Sequence, residues 1–163
     1  MVSDATGIAF VNDGTTTEVP SANRPIDQPA RYGKGHSPLL IAWVRRAETD
    51  VYNAEGPNAV GTAMATWIGT PSTSADRRAA YVTGQVAIEP DATRSFAAGF
   101  GQGQTIGLAL LHELGHIAGL AHVGDSSQVM YPDLMVVPAA RYGAGDANGL
   151  RRLGSSAGCL PAR

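Results

Sequence analysis

The chain has 163 residues, enough for one hydrophobic core and too few for two full-sized domains. Its apolar fraction is 44%, its net charge −2 and its pI near 6.0, so no electrostatic case exists for a nucleic-acid or anionic-membrane partner. The cations are eleven arginines and one lysine, Lys34, and the pairs Arg45-Arg46, Arg77-Arg78 and Arg151-Arg152 are scattered, as solvated side chains would be.

Residues 7–11 (Gly-Ile-Ala-Phe-Val) form a short apolar run closed by the turn Asn12-Asp13-Gly14, the pattern of a strand. The stretch before it lacks a basic region followed by a long apolar one, so no signal peptide is expected within the chain. Residues 15–38 are rich in Pro, Gly, Asn and Asp without a period and read as a long loop that carries His36 at its exposed end. Residues 39–44 are continuously apolar, consistent with a buried strand and far short of a membrane span. A loop at 50–57 follows. Residues 59–68 are ambiguous between strand and helix, and 74–80 are a polar connection.

Residues 81–88 (Tyr-Val-Thr-Gly-Gln-Val-Ala-Ile) alternate and are rich in β-formers, which predicts a strand. Residues 91–101 read as loop or frayed helix. The glycines at 99, 101 and 103 stand where a phosphate loop would, but the spacing is not G-x-G-x-x-G and no Lys-Ser/Thr follows, so a flexible lead-in to the next helix is expected. That helix is predicted over 104–118, with Leu108, Leu111 and Ala118 on its buried side. Residues 124–143 are mainly irregular, and 146–153 form a short C-terminal helix with Leu150 and Leu153 on one side. Cys159 is the one cysteine, which rules out an internal disulfide.

The chemistry is concentrated in residues 112–122, which read H-E-x-x-H-x-x-G-x-x-H. His112 and His116, four apart on a helix, leave the same face one turn apart, the separation at which two imidazoles can hold one tetrahedral metal ion. Glu113 stands beside the first of them, within reach of a metal-bound water as general base. A continuing helix would carry His122 out of reach, so the chain must turn back. Gly119 lies where that turn is needed and tolerates positive φ. Three neutral imidazoles leave one coordination position open, the arrangement of a catalytic rather than a structural zinc. Five fixed positions, three of them histidine, arise by chance in roughly one chain of this length in 10⁵.

These residues resemble the metzincin clan of zinc endopeptidases, and most closely the matrixins and their bacterial relatives. Met130 is similar to the clan's Met-turn methionine, with Met130-Tyr131-Pro132 at the family's distance beyond the third histidine. Asp146, Gly149, Leu150 and Leu153 match the family's C-terminal helix. The resemblance spans 104–154, and upstream 7–10 and 81–89 look like family strands. The family's first strand and helix have no counterpart in this chain.

The resemblance implies an α+β, zincin-like catalytic domain over 1–163: a twisted, mostly parallel mixed sheet packed on helices. The upper subdomain would be 1–119, and a small irregular lower subdomain, 120–163, would end in a helix. It implies one catalytic Zn²⁺ on His112, His116 and His122, with Glu113 as base and Met130 as a hydrophobic floor. Tyr131 and Pro132 are candidates for the substrate pocket, Tyr131 equally for simple packing. Asp146 reads either as a helix N-cap or as a bond to the Met-turn backbone. Ca²⁺ has no clear motif, with Asp125 and Asp133 as bare candidates. The implied protein is a secreted, monomeric zinc endopeptidase acting on protein or peptide substrates. The alternative is a weakly active or inactive zinc-binding module.

Overall fold

The computed structural model describes residues 1–69 and 79–158; the 74–80 connection in its larger part, Arg77-Arg78 and Cys159 lie outside the described residues. Elements follow in the order α1 (Val2–Thr6), α2 (Pro29–Tyr32), β1 (Leu40–Trp43), a 3-10 turn (Arg46–Glu48), β2 (Gly61–Gly69), β3 (Ala79–Ile88), α3 (Ile106–Ile117), α4 (Ala144–Leu153) and a 3-10 turn (Ser155–Ala157).

The sheet has the order β1-β3-β2 among the described residues. β3 is central because its alternation puts apolar side chains on both faces. Val86 and Ile88 point to one side, where they meet Leu108, Ala109 and Leu111 of α3. Ala87 points to the other, where Val44, Val51 and Tyr52 cover it. β1 runs parallel to β3, and β2, which resolves the ambiguity at 59–68 as strand, runs antiparallel. The sheet is therefore mixed, as expected, but not mostly parallel. Nine residue pairs join β2 to β3 against four for β1, because β2 and β3 follow each other as a long hairpin.

The strand expected at 7–11 is not formed. Gly7 adopts φ 69 and ends α1, and Ile8, Phe10 and Val11 are 45%, 46% and 78% exposed. An apolar run this short becomes a strand only where a neighbour offers a ladder, and β1 is paired to β3 alone among the described residues. α1 instead packs on α4 and α3.

The long loop 15–38 contains one helical turn, α2, opened by Pro29 at a position where proline fits. A buried ion pair ties this loop to the sheet. Arg24 meets both carboxylate oxygens of Glu18 at 2.9 and 3.0 Å and donates to Gly84 O, Thr83 Oγ1 and Pro38 O, while Gln28 and Tyr32 also donate to Glu18. Gln85 adds a second tie, donating to Ser21 O and accepting from Ser21 N–H.

Arg46 departs from the expectation of a solvated side chain. Its guanidinium lies 4.9 Å over the Tyr52 ring and donates to Gly56 O at 2.7 Å, so it clamps the turn that leads into β2. The glycine-rich lead-in at 99–103 is likewise pinned, with Gly103 N–H donating to Pro138 O and Ala140 N–H to Gly101 O.

Candidate metal centre

The helix α3 begins at Ile106, two residues later than expected, because the Thr105 side chain caps it by accepting from Leu108 N–H. It ends in a Schellman motif. Gly119 has φ 96, its N–H donates to His116 O, and Leu120 N–H donates to Gly115 O. This turn sends the chain back, and Leu120 packs against Gly149 of α4. His122 thereby returns to the helix face that carries His112 and His116.

The three Nε2 atoms stand 3.1, 3.1 and 3.2 Å from one another. Tetrahedral zinc with Zn–N bonds of about 2.0–2.1 Å sets its ligand nitrogens roughly 3.3–3.4 Å apart, so the triad matches such an ion closely. The far ring nitrogens fix the tautomers. His112 Nδ1–H donates to Val129 O at 2.7 Å and His116 Nδ1–H to Leu120 O at 2.8 Å, which leaves both Nε2 lone pairs facing inward. Burial lowers the His112 pKa to about 4, with the neighbouring imidazoles adding to the drop against the opposing Val129 bond. The His122 pKa is lowered by partial burial and by His116. Neutral imidazoles are the form that binds metal. Among the described residues these three are the one group placed to hold an ion.

Glu113 is buried beside the triad and packs against bare backbone: a Cβ on Gly61 of β2 would stand 2.8 Å from Glu113 Oε1. Burial pushes its pKa up to about 8, and Glu55, also at the cleft, adds to the rise. The cleft, about 320 Å³, is lined by Gly61, Thr62 and Ala63 of β2, the three histidines, Glu113, Glu55, Pro132 and Leu134. A larger groove of about 1100 Å³ adjoins it and shares Ala59, Val60 and Pro132, but holds none of the histidines.

The segment beneath the histidines is held from α4. Asp146 Oδ2 accepts Val129 N–H at 2.7 Å and Gly143 N–H at 3.3 Å, while Gln128 Oε1 accepts Asp146 N–H. Because α4 starts at Ala144, Asp146 is the third residue of its first turn rather than the N-cap, and its carboxylate joins that turn to the backbone beside Met130. Asp146 Oδ1 is buried without a hydrogen-bond partner among the described residues. Met130 is fully buried, and its sulfur fills the space a side chain at position 115 would need. Tyr131 packs on the core and Pro132 lines the cleft.

His36 stands apart from the triad, bonded to Asp27 at 2.8 Å and exposed. Asp125 accepts from Ser127 and Gln128, and Asp133 from Met135 N–H, as ordinary turn-closing acids do. Glu55, Gly61 and Thr62 were not singled out from the sequence. No local motif marks them, since their place at the cleft follows from β2 pairing with β3.

A family model described as Matrixin, of the peptidase M10 group, matches residues 28–153. This chain belongs to the matrixin family. The match begins beyond residues 7–11. No curated protein and no solved structure matches the chain.

Proposed function

We propose that this protein is a zinc-dependent endopeptidase in which His112, His116 and His122 hold the metal and Glu113 is the general base. The observation that carries the reading is the convergence of three Nε2 atoms within 3.2 Å of one another, with a buried carboxylate at their side. Bound zinc would supply Lewis acidity, polarising the substrate carbonyl and lowering the pKa of water from 15.7 to about 7.

The chain's own residues do the rest. No protein donor reaches the Glu113 carboxylate among the described residues, so its oxygens are free to take the proton of the attacking water and pass it to the departing amine nitrogen. β2 is a sheet edge and forms one wall of the cleft through Gly61–Ala63, so an extended substrate can add to it as a further strand. Pro132 and Leu134 bound the opposite side. Asp146 and Met130 act as positioning residues, fixing the Val129 carbonyl that accepts the hydrogen bond of His112 Nδ1–H.

In this reading 1–119 and 120–163 are the upper and lower subdomains of one catalytic domain, the protein is a secreted monomer, and its substrates are proteins or peptides. The test is casein hydrolysis by zinc-loaded protein. Activity is expected to vanish with a chelator, return with zinc and be absent in Glu113→Ala. Hydrolysis by Glu113→Ala at the wild-type rate overturns the base assignment, and zinc retention without any hydrolysis by wild type favours a binding module.

A further inference from the structure

The cleft contains a second carboxylate that the proposed hydrolysis does not use. Glu55 lies on the turn before β2, on the rim of the pocket that holds His112, Glu113, His116 and His122. The residue is exposed, but its side chain is oriented by a hydrogen bond from the sheet. Thr62 Oγ1, on a buried residue of β2, donates to Glu55 Oε1 at 2.9 Å. The turn is braced on both sides: Arg46 donates to Gly56 O and Ala59 O, and Tyr52 is buried with its hydroxyl on Val44 O. Glu55 N–H closes the turn on Tyr52 O at 3.0 Å.

A glutamate oriented in this way is left able to take an incoming partner. Its second oxygen has no hydrogen-bond partner and the side chain no ion-pair partner among the described residues, and no lysine or arginine lines the cleft. The cations nearest in the adjoining groove are already engaged, Arg46 by carbonyls and the Tyr52 ring, Arg45 by Glu48 and Asp91. Asp133, next to the shared Pro132, adds a further carboxylate to that groove. A preset anion without a protein cation favours a ligand that brings one.

We propose that Glu55 is a specificity-determining residue that pairs with a positive charge on the substrate, close to the bond being cut. The inference rests on the peptidase reading. The positive group is an ammonium or guanidinium, and two sources fit: a Lys or Arg side chain flanking the scissile bond, or the free α-ammonium of a short peptide. Thr62 is the positioning residue for this contact, since its hydroxyl fixes the orientation of the carboxylate.

The experiment compares quenched fluorescent peptides that differ at one residue (Arg, norleucine or Glu) on either side of the cleavage point, each with a free and an acetylated N-terminus. Zinc-loaded wild type is expected to show kcat/KM roughly two- to fivefold higher for the peptide that carries the cation than for its counterpart without it, mainly through KM. That ratio should shrink as salt rises. It should fall towards one in Glu55→Gln, return in Glu55→Asp and reverse towards the Glu peptide in Glu55→Arg. A preference for Arg over norleucine that survives acetylation assigns the charge to the side chain, and a preference for free over acetylated peptides with the same side chain assigns it to the α-ammonium. Cleavage with neither preference, or a preference that Glu55→Gln leaves intact, overturns the inference while the peptidase reading stands. A zinc affinity more than tenfold weaker in Glu55→Gln overturns it too, by making Glu55 a metal ligand. No cleavage of any peptide by wild type is a failure of the peptidase reading itself.

Discussion

Asp146→Ala tests how α4 and the histidine triad are joined. Asp146 is 3% exposed, so deleting its carboxylate strands Val129 N–H in a buried position, at a cost of about 1–3 kcal/mol. Loss of an acidic group from the first turn of α4 adds roughly 0.5 kcal/mol. Removal of the buried, unpartnered Oδ1 offsets part of this, leaving a net loss of about 2 kcal/mol. For a chain of this size that lowers Tm by roughly 4–8 °C. The effect should not stop at stability. Val129 presents its N–H to Asp146 and its carbonyl to His112 Nδ1, so a loosened Val129 also loosens the ring that must face the metal. Such partners typically change metal affinity by about 10- to 100-fold. Urea unfolding of the metal-free chain reads the first effect, and zinc competition against a chromophoric chelator reads the second. Asp146→Asn, which retains an acceptor for Val129, should fall between. A metal-free Asp146→Ala protein as stable as wild type refutes the energetic reasoning. Lower stability with unchanged zinc affinity refutes the coupling through Val129.

Two further expectations concern residues outside the motif. In Gly61→Ala the new methyl would stand 2.8 Å from Glu113 Oε1, 3.0 Å from its Cγ and 3.1 Å from Ala87 O, so the base must shift. Peptide hydrolysis should fall more than about tenfold while zinc affinity changes little, and an unimpaired rate would show that Glu113 tolerates displacement. Glu18 should govern acid stability. Burial alone would raise its pKa, but the hydrogen bonds from Arg24, Tyr32 and Gln28 and the Arg24 charge prevail and lower it from 4.5 to about 2. A depressed carboxylate stabilises the fold above its unfolded pKa and loses that contribution as pH falls towards 2, here roughly 3 kcal/mol. The urea-midpoint gap between wild type and Glu18→Gln should therefore be wide at pH 7 and narrow sharply at pH 3; a gap independent of pH contradicts this.

The convergence of the three histidines was legible because its geometry is local. The i, i+4 pair His112 and His116 and the positive-φ Gly119 are decided by helix periodicity and one turn, both of which a sequence displays. β3 was legible for the same reason, since its period-two pattern holds over eight residues. What depends on distant pairing was not. Residues 7–11 have the composition of a strand but find no ladder, and a composition cannot report the missing neighbour. Residues 59–68 became strand only through the hairpin with β3. Arg46 and Arg24 look like any surface arginine until the turns and carbonyls they grip are brought together, and Glu55 reaches the cleft only because Thr62 stands across from it on β2.

The most direct measurement is zinc stoichiometry of the purified chain by elemental analysis, for wild type, Glu113→Ala and His122→Ala. The three-imidazole account expects one zinc per chain in the first two and a sharp loss in the third. Zinc content in His122→Ala equal to wild type, or no zinc in wild type given excess metal, contradicts it.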